Sequence, residues 1–376
     1  MVMAKELPED LVIKILLLLP FVSLLRFKSV CKHWYALITN QNFIAKHVLH
    51  NKNCNTQLLL KTRDKANHDY VVSTISHETL QVSLTPLPPP YFGVNKEFHI
   101  VVVGSCNGLV CLHDCLALHD VIWNPATKET KVVSKSNLPR IVPAGYRTRI
   151  EGMEFGFDAK TNDYKIINFI TISDPRLYFC SPSENGVIFH VEVYSLRADT
   201  WRKVDGPLCF LSIHHINPGI YINGMASWVA YGNGWEESFV LSFDMSDELF
   251  LKTPFPDTYS DGADKIFMLN ELIAIPFIDE QGFKLSYDIW SLLKVGIKDS
   301  WTSLFTIGPF IQINDSLGFP FPLGFWKNYT IFIVNGQLVL YDPSTKQITN
   351  LQIHHHVDKE PIQLVTYMES LVSLEG

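Results

Sequence analysis

Three residues with metal-binding side chains alternate along one short segment: Cys111, His113 and Cys115. In a β-strand, residues two positions apart share a face, so all three could point the same way, as zinc ligands must. Possible fourth ligands nearby are Cys106, His119 and Asp120. The spacing matches no established zinc pattern, and buried strands commonly hold cysteines as small apolar residues. We therefore expect no metal here.

The other residues that could do chemistry do not converge in the sequence. His354, His355 and His356 form a run that a solvated loop after a strand explains. The chain has no G-x-S-x-G nucleophile motif, no phosphate-binding P-loop and no H-E-x-x-H zinc motif. We therefore predict a protein that is not an enzyme and that needs no cofactor.

Residues 7–43 instead indicate a binding module. Pro8 and the two acids that follow it suit the start of a helix, where a proline loses no needed N–H and the helix dipole is positive. Every position from 11 to 19 is apolar except Lys14, so this helix is apolar on nearly all sides. Pro20 ends it, and two further short helices follow. A unit of roughly 40–45 residues cannot bury so much apolar surface alone, so we predict an all-α docking module.

The segments LPEDLVIKILLLLP, SLLRFKSVCKHW, LI and NF resemble, in order and spacing, the F-box of plant F-box proteins. In that family the module binds the Skp-type adaptor of a cullin-based ubiquitin ligase. The resemblance implies that the adaptor contacts Leu7, Pro8, Leu11, Ile15, Leu16, Leu19, Pro20, Leu24, Val30, Cys31 and Trp34. The alternative is that such residues form the module's own core, which we expect for Leu25, Phe27 and Leu37. Leu18 and Val22 depart from the family pattern, where polar residues are usual.

The composition limits the class of protein. Of 376 residues, 47% are hydrophobic and 12% are aromatic, which is enough for two domains with a large core. The longest apolar run, residues 15–25, is too short to span a bilayer, and the seven cysteines show no regular pairing. We expect a soluble protein of the cytoplasm, with the nucleus also open, that binds no membrane.

The charge is distributed unevenly along the chain. Residues 1–50 hold six Lys and Arg against three acids, a net charge of +3. Because the whole chain carries −7, the remainder carries −10. An acidic body argues against nucleic acid as a partner, since binding to phosphates needs a basic face. It favours a basic protein partner.

From about residue 55 the sequence changes to short β-type runs that repeat. A strand that ends in an aromatic residue, followed by a polar turn, recurs at Trp123, Tyr194, Phe243, Trp290 and Tyr341, with a weaker copy at Ile75. A returning strand follows each anchor, at Thr130, Trp201, Phe250, Trp301 and Ile348. Four short strands that repeat every ~50 residues are typical of a kelch-like β-propeller. We count about six blades, expect residues 361–374 to close the ring, and keep five blades or an open β-sandwich as alternatives.

The propeller segment also resembles a known family. The segments NPATKE, FGFD, NDYK, VEVYSLRADTWRKV and YMESLV resemble the F-box-associated domain of plant F-box proteins. We therefore expect an F-box over residues 4–50 and an F-box-associated propeller over residues 55–376. Within this group the chain is most similar to the S-locus F-box and S-locus-F-box-like proteins of self-incompatibility.

Two kinds of segment are candidates for binding a target. Residues 236–264 carry a net charge of −7, which would suit a basic partner. These acids are Glu236, Glu237, Asp244, Asp247, Glu248, Asp257, Asp261 and Asp264. The alternative is a solvated segment that only keeps the protein soluble. Inserted loops at 134–150 and 173–189 mix arginine, aromatic residues, glycine and proline, as contact loops do, with Arg140, Tyr146, Arg147 and Arg149 as candidates.

The resemblance implies the substrate-recognition subunit of a Skp–cullin–F-box ubiquitin ligase. The F-box would bind the Skp-type adaptor, and through it the cullin scaffold, while the propeller holds a protein target for ubiquitination by other subunits and for degradation by the proteasome. If the S-locus resemblance holds, the targets include basic S-type ribonucleases. The alternative is a scaffold or inhibitor that binds a partner without degrading it, which the departures at Leu18 and Val22 favour.

Overall fold

The computed structural model describes residues 7–54, 56–63, 70–76, 87, 100–115, 118–138, 140–174, 187–207, 217–232, 237–259, 263, 265–281, 284–311, 321–327, 329–334, 337–354 and 362–374. Within these residues, four helices precede a series of antiparallel sheets. The helices are α1 (Glu9–Leu17), α2 (Phe21–Phe27), α3 (Lys32–Thr39) and α4 (Gln41–Cys54).

The helices begin where the local sequence favours a start. Pro8 stands immediately before α1, and Pro20 stands immediately before α2. Cys31 precedes α3, and its sulfur accepts a hydrogen bond from the backbone N–H of Trp34 at 3.4 Å, which satisfies one of the unpaired N–H groups of the first turn. Because α4 continues to Cys54, the predicted F-box boundary at residue 50 falls inside a helix.

The four helices share one small core, which a residue from the far end of the chain completes. The core contains Leu16, Phe21, Leu24, Ile38, Phe43 and Leu371. Leu371 lies just beyond the last strand of the chain and is 1% exposed. Nearby, the side-chain amide of Asn51 in α4 donates to the carbonyl oxygen of Glu369 at 3.1 Å. The helical module and the C-terminal segment therefore pack against each other.

The strands form six sheets in the described residues, and each sheet is one propeller blade. Blade 1 consists of β1 (Gln57–Arg63), β2 (Tyr70–Ile75) and the last strand of the chain, β24 (Gln363–Tyr367). Blade 2 consists of β3 (Ile100–Cys106), β4 (Leu109–Asp114), β5 (His119–Trp123) and β6 (Thr130–Val132). Blade 3 consists of β7 (Arg147–Asp158), β8 (Asp163–Ser173), β9 (Ile188–Ser195) and β10 (Thr200–Val204), with the short β11 (Asn217–Pro218) added parallel to β7.

The other three blades have four antiparallel strands each. Blade 4 consists of β12 (Ile220–Ile222), β13 (Met225–Gly232), β14 (Glu237–Asp244) and β15 (Phe250–Pro254). Blade 5 consists of β16 (Phe267–Leu269), β17 (Leu272–Gln281), β18 (Lys284–Leu292) and β19 (Trp301–Ile311). Blade 6 consists of β20 (Phe321–Trp326), β21 (Tyr329–Val334), β22 (Gln337–Asp342) and β23 (Gln347–His354).

The register of these sheets confirms the predicted repeat. Each anchor aromatic lies in the third strand of blades 2–6. Four of the anchors pair directly with the predicted residue of the fourth strand: Trp123 with Thr130, Tyr194 with Trp201, Phe243 with Phe250, and Tyr341 with Ile348. In blade 5 the turn after the third strand is longer, and Trp301 lies opposite Leu292 rather than opposite the anchor Trp290. The fold is therefore a six-bladed propeller rather than a five-bladed one or a sandwich.

The ring closes through the C-terminal segment, as predicted. β24 pairs with β1 antiparallel, with Leu58 opposite Thr366 and Leu60 opposite Leu364. The last strand of the chain thereby becomes the first strand of blade 1, and the pairing leaves no open edge between the two ends of the propeller. Large buried side chains fill the spaces between blades; Phe169 of blade 3, for example, packs edge-on against Trp228 of blade 4 at a ring-centroid distance of 5.0 Å.

The ring has two different sides. One side carries the turns between the first and second strands, such as Asn107–Gly108 and Asn270–Glu271, and the helices pack there: Lys52 Nζ of α4 lies 2.8 Å from Glu271 Oε1. Gly108 has φ +83°, and a Cβ at this position would lie 2.2 Å from Ser370 Cβ, so the contact with the C-terminal segment requires glycine. We call this the helix side, and the opposite side, where each first strand begins, the open side.

Candidate binding surfaces

The helical module leaves a row of apolar side chains exposed. Leu11 and Ile15 of α1 are 46% and 49% exposed, and Leu7 and Val30 are 59% and 60% exposed. Pro8, Pro20 and Cys31 are also exposed. A monomeric protein rarely gathers apolar side chains on its surface unless they bind something. Nine of the positions expected to contact the adaptor are thus at least partly accessible, with Leu19 and Trp34 half-buried.

Leu16 and Leu24 occupy a different position from the one expected for adaptor contacts. They are 1% and 0% exposed and belong to the core of the module itself. For Leu16 the reason is the periodicity of α1, which turns this side chain away from Leu11 and Ile15 and towards the other helices. Leu24 is a core residue of α2. These two residues support the exposed surface from beneath, and we leave them out of it.

Sequence reasoning missed two members of this surface. Leu18 is 71% exposed and Val22 is 49% exposed. Leu18 directly follows α1, and Val22 lies in the first turn of α2, so the exposed apolar residues continue from one helix to the next. We define the apolar helix surface as Leu7, Leu11, Ile15, Leu18, Val22 and Val30.

Trp34 links this surface to the core beneath it. Its ring packs on Phe27 at a centroid distance of 4.9 Å, and it contacts the core cluster from a half-buried position. The backbone of Trp34 is held by the sulfur of Cys31. A rigid aromatic side chain that is packed on one edge and accessible on the other is well suited to an interface, because little conformational entropy remains to be lost.

The described acids of segment 236–264 do not form one continuous unpaired patch. Each of four carboxylates pairs with a base: Glu237 with Lys252 at 2.6 Å, Glu248 with Lys165 at 2.8 Å, Asp247 with Lys160, and Asp257 with Lys298. Most of these bases come from other blades or strands, so the local count of charges in the sequence did not reveal them. Glu236, Asp261 and Asp264 lie outside the described residues.

The same acids also lie on both sides of the ring. Glu237 begins β14 on the open side, and Asp244 ends it on the helix side. Seven residue steps along a strand separate the two residues by about 23 Å. Asp244 accepts hydrogen bonds from the backbone N–H groups of Ser246 and Asp247 at 2.8 and 2.9 Å, so it fixes a turn. The described acids of segment 236–264 are therefore divided between the two sides of the ring.

The candidates in the inserted loop 134–150 lie towards the open side. Arg140 makes a two-pronged ion pair with the buried Glu192, with Nε 2.8 Å from Oε1. Arg149 lies 3.5 Å from Glu151, whose pKa is raised by burial and lowered in part by the hydroxyl of Thr171 and by Arg149. Tyr146 is half-buried and Arg147 is exposed. The loop thus contains two anchored arginines and one exposed arginine.

The first strands of all six blades enclose a cavity of about 1550 Å³ at the open-side end of the central channel. Its wall includes Ile100, Thr148, Pro218, Phe267, Pro322 and Gln363, which lie at or near the starts of these strands. The cavity extends between blades 2 and 3, where His113, Asp120, Arg140, Glu154 and Asn168 line it. A concave site of this size, with a few polar groups on an apolar wall, is the usual form of a binding pocket.

The polar groups of this cavity are only partly satisfied. His113 Nδ1 lies 2.7 Å from Asp120 Oδ1, but His113 Nε2 has no hydrogen-bond partner among the described residues. Glu154 Oε2 and Asn168 Oδ1 are also buried without a partner in this part of the chain. Burial raises the pKa of the Glu154 carboxyl well above its usual range, against the effect of one hydrogen bond from the N–H of Phe155, and so favours the uncharged acid.

The cysteines of blade 2 are packed as small apolar residues. Cys106 and Cys111 are buried in the cluster between blades 2 and 3, and burial raises the pKa of both thiols. Among the residues whose placement is described, no group of three or more His, Cys, Asp or Glu side chains is arranged to hold a metal ion. His355 and His356 lie outside the described residues.

Comparison with known proteins agrees with this architecture. Residues 5–46 match the F-box domain, and residues 49–374 match the F-box associated beta propeller domain. The chain is 25% identical over 370 residues to the F-box protein CPR1 of Arabidopsis thaliana, covering 92% of this chain and 84% of that protein. It is 26% identical over 312 residues to an Arabidopsis F-box/kelch-repeat protein, covering 80% and 79%. It is 28% identical over 268 residues to a third Arabidopsis F-box protein, covering 67% and 66%.

Proteins that join an F-box to such a propeller are typically non-catalytic adaptors. The chain belongs to the plant F-box proteins that carry an F-box-associated β-propeller. In the described part of the chain, no helix is both long and apolar enough to cross a membrane. The more specific resemblance to the S-locus branch stays a hypothesis.

Proposed function

We propose that this protein is the substrate-recognition subunit of a Skp–cullin–F-box ubiquitin ligase, acting in the cytoplasm or the nucleus. The apolar helix surface binds the Skp-type adaptor, and the adaptor connects the chain to the cullin scaffold. The propeller binds a protein target, which the other subunits ubiquitinate and the proteasome degrades. The observation that carries this proposal is the exposed apolar helix surface on a module too small to bury it.

The mechanism is one of proximity rather than chemistry by this chain. The helices lie on one side of the propeller, and the described residues of the inserted loop 134–150 and the cavity mouth lie towards the other. Adaptor and target can therefore bind at the same time without competing for surface. Because the helical core includes Leu371 from the propeller segment, the target is held in a fixed position relative to the ligase. Transfer is accelerated by the high effective concentration of target lysines.

The particular target is the less supported part of the proposal. A basic S-type ribonuclease is suggested by the S-locus resemblance, and the acidic segment 236–264 was the physical argument for it. The described acids of that segment are paired with bases and divided between both sides of the ring. The ribonuclease hypothesis therefore rests on the resemblance alone.

A scaffold that binds a partner without degrading it is the second candidate. The departures at Leu18 and Val22 suggested it, because polar residues are usual at these positions of the F-box. In the structure both side chains extend the apolar helix surface instead of disrupting it. This observation favours adaptor binding over the scaffold.

The test compares the full-length wild type with a Leu11→Asp/Ile15→Asp double variant. Full-length protein is needed, because removing the helices would uncover Leu371 and its neighbours. Each protein is used to capture partners from mixed pollen and style extract. We expect adaptor and cullin to be recovered with the wild type alone, and the target with both proteins. Ubiquitination of that target in a reconstituted ligase then separates degradation from scaffolding.

The outcomes distinguish the candidates. Recovery of an S-type ribonuclease with both proteins would support the self-incompatibility hypothesis. Recovery of adaptor and cullin with a different target would retain the ligase and discard the ribonuclease. Failure of the wild type to recover the adaptor would overturn the proposal and leave the scaffold as the better account.

A further inference from the structure

Positive charge is concentrated at the open-side mouth of the cavity, although the body of the chain is acidic. Residues 135–150 contain Lys135, Arg140, Arg147 and Arg149 and no acid. The residues that line the cavity include five Lys and Arg but only two acids, Asp120 and Glu154. Such a local excess of one sign attracts and orients a partner of the opposite sign.

Not all of this positive charge is available to a partner. The charge of Arg140 is balanced by the buried Glu192, and Arg149 lies 3.5 Å from Glu151. Lys135 and Arg147 are exposed and make no ion pair with any residue that the structure describes. They are therefore the two cations of this loop that a partner can neutralise.

The acids of the cavity do little to cancel this charge. Asp120 is 5% exposed and lies against His113. Glu154 is 1% exposed, and because burial raises its pKa, the uncharged carboxylic acid is favoured there. An incoming carboxylate consequently meets unopposed cations at the mouth and little negative charge on the wall behind them.

Two exposed apolar residues lie between Lys135 and Arg147 in the sequence. Ile141 is 85% exposed, the highest value among the large apolar residues, and Val142 is 44% exposed. Neither contributes to a buried cluster of the propeller. Apolar side chains next to arginines are the usual composition of the residues that contribute most to protein interfaces. The exposure of Ile141 is explained if a partner covers it.

We infer that the open-side mouth of the cavity binds an extended acidic segment of the protein target that carries an apolar residue near its carboxylates. Lys135 lines the cavity, and Arg147 and Ile141 directly adjoin its lining residues Thr148 and Arg140 in the chain. This inference rests on the proposed function, because it assumes that the propeller holds the target. It assigns to the target a charge opposite to that of a basic ribonuclease. Charge complementarity selects the segment, and the apolar contact adds affinity once water is excluded.

The experiment uses the full chain bound to its Skp-type adaptor and a random peptide library displayed on phage. We expect the enriched peptides to be rich in Asp and Glu, to contain an apolar residue beside them, and to be depleted of Lys and Arg. The best enriched peptide is then labelled and titrated by fluorescence anisotropy. A Lys135→Glu/Arg147→Glu double variant should weaken its binding about tenfold or more, and Ile141→Ser should weaken it less.

The matched control is the variant Lys294→Glu. Lys294 is an exposed lysine on the helix side that makes no ion pair with any described residue. This change should leave peptide affinity within about twofold. Raising the salt concentration should weaken wild-type binding and leave the double variant nearly unaffected. Adaptor binding should be the same for all variants.

Enrichment of basic or uncharged peptides, or the absence of any enrichment, overturns the inference. The inference is also overturned if the acidic peptide binds the double variant as tightly as it binds the wild type, because the peptide would then bind elsewhere. In each of these cases intact adaptor binding leaves the proposed ligase function standing. Loss of adaptor binding by the wild type instead shows that the proposed function has failed.

Discussion

The helical module and the propeller differ in how their exposed apolar side chains are arranged. In the helical module, Leu11, Ile15 and Leu18 remain exposed, because a unit of roughly 45 residues has too little interior to cover them. In the propeller, anchor residues such as Trp123 and Tyr194 are buried within and between blades. Exposed apolar residues also occur in the propeller, but they are distributed over several blades, as Leu118, Leu249 and Ile348 are, whereas in the module they form the apolar helix surface.

The two regions also differ in how buried ionisable groups respond to pH. In the module, burial lowers the pKa of His47 from 6.5 to about 4, with a smaller contribution from His50. In the propeller, burial raises the pKa of Glu154 well above its usual range. Both groups are thus held neutral, but one is a base and the other an acid. A falling pH should therefore lower the folding stability of the module through His47, whereas a rising pH should lower the folding stability of the propeller through Glu154.

The largest expected effect concerns the apolar helix surface. The Leu11→Asp/Ile15→Asp double variant should bind the adaptor about 1000-fold more weakly, because two charges would have to be buried where apolar contacts form. The fold should survive, since both positions are solvent-exposed in the free chain. Isothermal titration with purified adaptor measures the affinity, and circular dichroism checks the helices.

Two further variants decide whether that surface is assigned correctly. Leu304→Asp on the outer strand of blade 5, where Leu304 is 43% exposed, should leave adaptor affinity unchanged. Leu16→Ala should lower the stability of the helical module by about 2 kcal/mol or more while leaving the contacts of the surface in place. If Leu304→Asp weakened the adaptor complex as much as the double variant, the surface would be wrongly assigned.

The second prediction concerns the buried charges of the propeller. Lys165 is 6% exposed, and its Nζ lies 2.8 Å from Asp158 Oδ2, 2.8 Å from Glu248 Oε1 and 2.7 Å from the Met245 carbonyl oxygen. Although burial opposes it, hydrogen bonds from Lys165, Thr161 and Ser246 hold the pKa of Asp158 well below its usual range. Lys165→Met should lower the free energy of unfolding by about 3 kcal/mol, since Asp158 would remain buried without its cation.

Denaturant unfolding followed by tryptophan fluorescence measures this loss. The matched control is Lys160→Met, because Lys160 pairs with Asp247 at the surface of the same turn region, where both side chains are more than half exposed. That variant should be as stable as the wild type, because water screens the exposed ion pair. Equal effects of the two substitutions would show that the Lys165 network contributes no more than an exposed ion pair.

These charges also show what the sequence could and could not predict. The pairing of Trp123 with Thr130 followed from a seven-residue spacing, because a hairpin is a local structure. Glu248 and Lys165, by contrast, are 83 residues apart in the chain, and only the closed ring brings them together. A count of acids along one segment could not detect that partner, so it overstated the unpaired negative charge of residues 236–264.

The same distinction applies to the helical module. The sequence predicted that this module has surplus apolar surface, because only Lys14 interrupts the run from 11 to 19. It could not show which side of such a helix faces inward, since no polar stripe marks the exposed side. Leu16 was therefore assigned to the surface and Leu18 was omitted from it, although their exposures are 1% and 71%.

The third prediction tests the opposite pH responses. Because the pKa of His47 is about 4 in the folded protein and 6.5 when unperturbed, the unfolded chain binds more protons between these values, and stability falls as pH falls. The wild-type module should lose about 2 kcal/mol between pH 7 and pH 5 relative to His47→Leu. Hydrogen exchange of the amides of α3 and α4, corrected for intrinsic rates, measures the difference.

Glu154 provides the comparison in the propeller. Its folded-state pKa is raised, so the folded protein retains a proton that the unfolded chain releases above pH 4.5, and stability falls as pH rises. Relative to Glu154→Gln, which keeps a neutral side chain, the wild type should lose stability on going from pH 5 to pH 7. If His47 and Glu154 gave slopes of the same sign, one of the two groups would be charged in the folded state.

The smallest expected effects concern two contacts between the helical module and the propeller. They are made by neighbouring residues of α4, Asn51 and Lys52. Asn51 is 4% exposed and donates to the Glu369 carbonyl oxygen, whereas the ion pair of Lys52 with Glu271 is about half exposed on both sides. Asn51→Ala should lower stability by about 1 kcal/mol, since a buried carbonyl loses a donor. Lys52→Ala should lower it by no more than about 0.5 kcal/mol, because water screens the pair. Denaturant unfolding at low and high salt compares the variants. A larger, salt-sensitive loss for Lys52→Ala would mean that charge, and not the buried contacts around Leu371, fixes the module on the propeller.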